Sequence, residues 1–337
     1  MKRIGFLSFG HWHPRTLTRT ASDVLHQSVD LAVAAEELGI DGAYFRVHHF
    51  ARQLASPFPL LTAVGMRTSR IEIGTGVIDM RYENPLYMAE TAASADLLSG
   101  ERLQLGISRG SPETVIDGYK VFGNIPPAGT TDAEMAARHT EAFLAAIEGA
   151  KLAQSDPART GVSGRVAIEP RSETLRERIW WGSGTRGSAI KTAEQGMNLM
   201  SSTLLTEDTG VPFDELQAEQ IRMYREAFAA GGWGREPRVS VSRSVTPLVS
   251  EQDRQYFGHR SAQDSEQVGY IDPLTIARFG KSYIGEPDKI AEELANDKAV
   301  QAADTVLVTV PNQRGVDYNA ALLENIVKHV APAAGWR

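Results

Sequence analysis

The feature that most constrains this chain is an alternation, kept almost from end to end, of short strand-like runs and stretches with helical spacing of apolar residues. IGFLSF (4–9), GAYFRV (42–47), IEIGTGVI (71–78), RLQLGIS (102–108), RIWWGSG (178–184), MNLMSS (197–202), RVSVSRSVTPLVS (238–250) and DTVLVTVP (304–311) read as strands. Helical stretches follow them, such as SDVLHQSVDLAVAAEELG (22–39), with a Ser-Asp cap signal and a stop at Gly39, and PLYMAETAASADLLSG (85–100), with a stop at Gly100. Parallel strands need long crossover connections, usually helices. Eight such βα units in 337 residues predict an α/β TIM (β/α)8 barrel, with a doubly wound sheet carrying a second domain as the alternative. No Pro/Ser-rich linker divides the chain, so one domain is expected over 1–337. Looser insertions are expected at about 111–131, 155–177 and 251–282, with GRVAIEP (164–170) as an added hairpin arm.

Composition narrows the chemistry. The 337 residues are 42% hydrophobic, enough for a large core, and carry a net charge of −7, which argues against a nucleic-acid partner. There is no cysteine, so thiolate catalysis, disulfides and Cys-ligated metals are excluded. No apolar run is long enough to span a membrane. MKRIGFLSF is too short for a signal-peptide core and reads as a first strand, so a cytoplasmic protein is expected.

In a barrel the working residues sit on the loops after the strands. His48 and His49 lie just past the second strand, and His11 and His13 just past the first. Four histidines there raise a metal site, but zinc-like ions need three or four converging ligands, usually with a carboxylate among them. The later strand ends LGISRG, WWGSG and LMSSTLL supply none, so no metal is expected. A second pattern, Gly182-Ser183-Gly184-Thr185-Arg186-Gly187, matches the dinucleotide fingerprint GxGxxG between a strand and a helix. The acidic residue that should bind the ribose at the next strand end is absent, and Glu207 comes several residues too late. What survives is an anion cradle: glycines for close approach, helix N-terminal N–H groups, and the hydroxyls of Thr185 and Ser188.

Asp41 to Gly123 resembles the bacterial luciferase-like flavin-dependent monooxygenase family. The likeness runs through DGAYFRVHHFA, IEIGTGVIDMRYENPLYMAETAASADLLSGERLQLGISRG and YKVFG, and returns in GSGTRGSAIKTAEQG and YIGEPDKIAEEL. It implies a TIM barrel binding FMN at its C-terminal mouth, or in one branch the deazaflavin F420. Reduced FMN would come from a separate flavin reductase and react with O2, through a C4a-hydroperoxide, to oxidise a small organic substrate. An F420-dependent oxidoreductase and a non-catalytic flavin-binding subunit are the alternatives. A homodimer through the helices after strands two and three is also implied.

Residue by residue, the resemblance makes His48 the catalytic base beside the flavin, with His49 pointing the other way in support. It implies a cis peptide between Gly76 and Val77 under the flavin ring. Arg109 falls near the phosphate, Thr185 and Ser188 on it, with the amides of Arg186 and Gly187 beside them, and Arg138 as a further phosphate arginine. Ser108 stands where luciferase has a reactive cysteine, and Val47 where it has a glutamate, which speaks against light emission on a long-chain aldehyde. The segment 251–282, with Tyr256, Phe257, Tyr270 and Phe279, falls where the family has a mobile lid.

Overall fold

In the computed structural model, which describes all residues except 111–113, 208, 252, 256, 258–266, 273–274 and 337, the eight anticipated runs form a closed parallel barrel. Its strands are β1 (Arg3–Ser8), β2 (Gly42–Phe45), β3 (Glu72–Thr75), β4 (Leu103–Ser108), β5 (Ile179–Ser183), β6 (Asn198–Ser201), β7 (Val239–Arg243) and β8 (Thr305–Val310). Each pairs in parallel with the next, and β8 returns to β1 in the register Arg3↔Thr305 to Ser8↔Val310. The principal helices are α1 (Ala21–Glu37), α2 (Pro57–Arg67), α3 (Pro85–Leu98), α4 (Asp132–Ile147), α5 (Arg186–Glu194), α6 (Phe213–Ala230), α7 (Pro287–Asn296) and α8 (Gly315–Asn325).

The period-2 alternation of side chains decides which residues meet. Leu7, Tyr44, Trp180, Met200 and Leu307 point inward and fill the barrel. Ile4, Phe6, Phe45, Ile73 and Leu105 belong to the larger outer core that includes residues of the surrounding helices. Glycine is required where β3 and β4 crowd: a Cβ on Gly106 would stand 2.2 Å from the Thr75 carbonyl oxygen. The N-terminal end of the barrel is closed by charge. Arg238 grips Glu72 through two bonds of 2.9 and 3.0 Å and lies over the Trp180 ring, whose indole N–H donates to Gln104. The opposite, C-terminal end is open.

Local signals place most of the helices. α1 begins one residue before the Ser-Asp signal, at Ala21: Thr20 is the cap, and it forms a reciprocal capping box with Asp23. α3 is capped by Asn84, with Pro85 following, where proline needs no donor. Three expectations need correction. The third strand stops at Thr75 and resumes at Ile78–Asp79, interrupted by the Gly76–Val77 turn. The long seventh run is two strands: β7 ends at Arg243, and Val245–Pro247 leaves the barrel to pair with Tyr283–Gly285. The insertion 251–282 is not wholly loose, since Gln267–Asp272 and Thr275–Phe279 form an antiparallel hairpin that docks on Leu204–Leu205. The arm near 164–170 is present as a two-residue ladder, Ala153–Gln154 against Arg165–Val166.

Candidate active site at the C-terminal mouth

A cavity of about 930 Å³ opens at the C-terminal ends of the strands, within the usual range for a cofactor site. Its walls include His48, Gly76, Val77, Ser108, Arg109, Thr185, Gly187 and Ser188, so eight positions singled out from the sequence converge on one space. Arg138 and Arg186 are not on its walls. Arg138 is exposed on α4, its guanidinium 3.4 Å from the Thr130 hydroxyl.

The two histidines diverge, as expected where an extended chain alternates its side chains. His48 faces the cavity, and its Nε2 accepts a 2.8 Å bond from Nε of Arg46. A nitrogen that accepts from a guanidinium carries no proton, so in this arrangement the ring proton sits on Nδ1. His49 is buried against an aromatic cluster, stacked on Tyr82 at 4.1 Å and edge-on to Phe122 at 5.1 Å. His11 lies close enough to feel both neighbours. Burial holds its imidazole below the ordinary histidine value, and positive charge on His48, when that ring is protonated, and on Arg46 adds to the effect. It bonds Gln53 at 2.7 Å, while Nδ1 of His13 accepts from the Arg15 amide. Among the described residues, no three His, Asp or Glu groups are placed to hold a metal ion.

The opposite wall is backbone. The Gly76–Val77 peptide is cis, and a Cβ on Gly76 would meet Leu7 at 2.9 Å. Beyond it, Gly110 lies so close above Asp79 that a Cβ there would overlap the carboxylate, at 2.1 Å. Asp79 is itself held by Arg81 through bonds of 2.6 and 3.0 Å. The Ser108 hydroxyl accepts from the Gly110 amide at 3.0 Å, which fixes the turn that presents Arg109 to the cavity.

The third wall is a set of donors at the start of α5. Thr185 caps the helix by accepting from the Ser188 amide at 3.1 Å, leaving its own hydroxyl proton free. Ser188 accepts from the Trp181 indole at 3.2 Å and likewise keeps a proton to give. The Gly187 amide, at the second helical position, has no backbone acceptor among the described residues. The Arg186 amide is different, since it donates to Glu207 at 2.9 Å, so the expectation that it stands ready beside Gly187 does not hold. At the start of the helix Thr185, Gly187 and Ser188 present donors to the cavity, which suits an anion, while Glu194 at its far end puts one carboxylate on the same lining.

Sequence reasoning missed three residues. Lys191 and Trp181 both line the cavity. Lys191 is one turn beyond Ser188, a spacing that would have revealed it once α5 was placed. Glu207, dismissed as too late for a ribose ligand, reaches back to the N-terminus of α5. Of the proposed lid aromatics, Phe257 packs against Tyr318 at 6.2 Å and Phe279 is partly exposed, neither on the cavity wall. Tyr256 and the side chain of Tyr270 lie outside the described residues.

The family model described as luciferase-like monooxygenase matches residues 1–256. Monooxygenase RslO1 from Streptomyces bottropensis superimposes with a TM-score of 0.74 at 19% identity, covering 98% of this chain and 99% of its own. The oxygenating constituent of 3,6-diketocamphane monooxygenase from Pseudomonas putida, a type II Baeyer-Villiger enzyme solved with FMN, gives 0.70 at 14% identity and 98% of both chains. At these identities the likeness is one of fold. A shorter match, 36% identical over 99 residues, covers 27% of this chain and 30% of the F420-dependent glucose-6-phosphate dehydrogenase of Mycolicibacterium gilvum.

Proposed function

The chain belongs to the luciferase-like monooxygenase family, and from that premise we propose that it is an FMN-dependent monooxygenase that uses reduced flavin and O2 to oxidise a small organic substrate. The observation that carries the reading is the donor set at the start of α5. It faces the same cavity as His48 and the Gly76–Val77 backbone. The phosphate would rest on the hydroxyls of Thr185 and Ser188 and the Gly187 amide, with Arg109 supplying charge across the cavity. The flavin ring would lie against the Gly76–Val77 peptide, where no side chain on Gly76 obstructs it. Bound reduced flavin supplies the electrons that activate oxygen.

His48 would handle the proton. With Nε2 held by Arg46, the Nδ1–H serves as a hydrogen-bond donor, and release of the Arg46 bond exposes Nε2 as the base that takes up a proton. Leu7, Val77, Trp181 and Met200 give the cavity apolar surface, which suits an organic substrate and helps exclude water. A flavin reductase as partner follows from the same reading. So does a homodimer through α2 and α3, on whose surfaces Met66, Tyr87, Leu97 and Leu98 are exposed.

The test is direct titration of the purified chain with FMN and with F420, followed by cofactor fluorescence. Saturable binding of FMN in preference to F420 is expected. Selective binding of F420 would overturn the reading in favour of hydride transfer without oxygen.

A further inference from the structure

At the N-terminus of α5 the charges are divided in an unexpected way. Arg186, the cation nearest the helix start, is turned from the cavity and engaged by two carboxylates. Its Nε lies 3.2 Å from Glu207, and Nη1 lies 3.5 Å from Glu219. These carboxylates raise the arginine above its ordinary range, Glu207 by the larger share. Glu207 also accepts from the Arg186 amide at 2.9 Å and from the buried Gln220 amide at 3.2 Å. Three donors therefore converge on one carboxylate, which takes up the first amide of the helix and leaves the Gly187 amide and the hydroxyls of Thr185 and Ser188 to the cavity. Lys191, one turn along the same helix, lines the cavity and makes no ion pair among the described residues. Arg109 on the facing loop is in the same condition.

We propose that Lys191 is the cation on α5 that meets the cofactor's phosphate, and that Glu207 withholds Arg186 from it. The inference rests on the flavin reading above and deepens it. A lysine one turn inside the helix can follow the phosphate on its flexible stem, as a point charge without a fixed fork. The Glu207 carboxylate keeps the first helical amide and the arginine committed. On this helix the phosphate is then left with Gly187, the hydroxyls of Thr185 and Ser188, and Lys191, with Arg109 facing it across the cavity. Placing the compensating charge on a mobile lysine rather than a fixed arginine favours exchange of the flavin, which a chain served by a separate reductase requires.

Riboflavin, which lacks the phosphate, isolates this contribution. Fluorescence titrations with FMN and riboflavin on the wild type, Lys191→Met, Arg186→Met and Glu207→Gln give the FMN-to-riboflavin affinity ratio for each. Lys191→Met is expected to lower that ratio about tenfold, the worth of one charge-assisted hydrogen bond, by weakening FMN alone. Arg186→Met should leave the ratio as it is. Glu207→Gln, which keeps the shape but leaves Arg186 only the longer Glu219 contact, should raise it several-fold. An unchanged ratio in Lys191→Met, a collapsed one in Arg186→Met, or no rise in Glu207→Gln overturns this assignment and leaves the flavin reading standing. Failure of the wild type to bind either flavin overturns both.

Discussion

His48 and Glu83 show how single residues at this mouth can be put to the test. His48 touches the cavity where the flavin ring is proposed to lie, while the proposed phosphate contacts come from other loops. His48→Ala should therefore leave FMN binding nearly intact and lower turnover on an identified substrate by about 10² or more, the usual worth of a positioned acid–base group. Turnover near that of the wild type would remove it from the mechanism. His49→Ala should chiefly cost stability, because its ring is packed between Tyr82 and Phe122. Glu83 lies near Asp79 of the cavity wall, its carboxyl pushed up to about 7 by burial first and by the negative charge of Asp79 second. Because the folded value lies above the unfolded one, protonation is favoured in the fold. Stability from this group is full below the ordinary carboxylate range and is lost as pH rises through about 7. Glu83→Gln should thus be more stable than the wild type at pH 8.5, by roughly 1–3 kcal/mol in urea unfolding, with the difference vanishing near pH 4. An equal difference at both pH values would show that burial of Glu83 is not what the substitution relieves.

Among elements, the seam between β7 and α7 depends on one buried ion pair. Arg243 at the end of β7 donates to Asp297 at 2.7 and 3.0 Å, and Asp297 also accepts from Tyr283 at 2.6 Å and from the Val300 amide at 2.8 Å. One carboxylate so joins the barrel, the Tyr283–Gly285 strand that pairs with the segment leaving it, and the turn after α7. Burial works against the charge on Asp297, but Arg243 and the other donors outweigh it and hold the carboxyl below its usual value. Arg243→Met should cost about 3–5 kcal/mol by urea unfolding, since it strands a buried charge. Removing both charges in Arg243→Met/Asp297→Leu should recover part of that loss. The group's folded value is depressed, so its contribution is present above the ordinary carboxylate range and disappears as pH falls through the lowered value. A single variant no less stable than the wild type would show that the seam does not depend on this pair. The sequence held no sign of it, because Arg243 and Asp297 are 54 positions apart and only the closing of the barrel brings them together.

For the whole molecule, the barrel was legible because its signals are local: eight apolar runs, helical periodicity between them, and glycine or capping residues at the boundaries. The cavity was legible for a related reason, since in a barrel every residue just after a strand faces the same mouth. Charge assignments were less so. Arg138, Arg186 and Lys191 differ in orientation rather than type, and orientation depends on Glu207 and the packing of α5 against α6. The surface carries one more signal at this scale. α3 carries apolar residues on its outward face as well as its inner one, with Met88, Ala89, Ala92 and Ala93 buried while Tyr87 is 71% and Leu98 55% exposed. A helix of this kind normally has both faces covered. At the foot of the neighbouring α2, Met66 is 65% exposed. A second copy of the chain presenting the same faces would bury them by two-fold symmetry, the commonest closed arrangement. Light scattering at micromolar concentration should therefore give twice the chain mass of 36.7 kDa. Met66→Glu/Leu98→Glu should give the single mass with an unchanged far-ultraviolet circular dichroism spectrum, because neither side chain reaches the core. A wild type already at the single mass would end the claim, and a variant that stays dimeric would move the interface to another face.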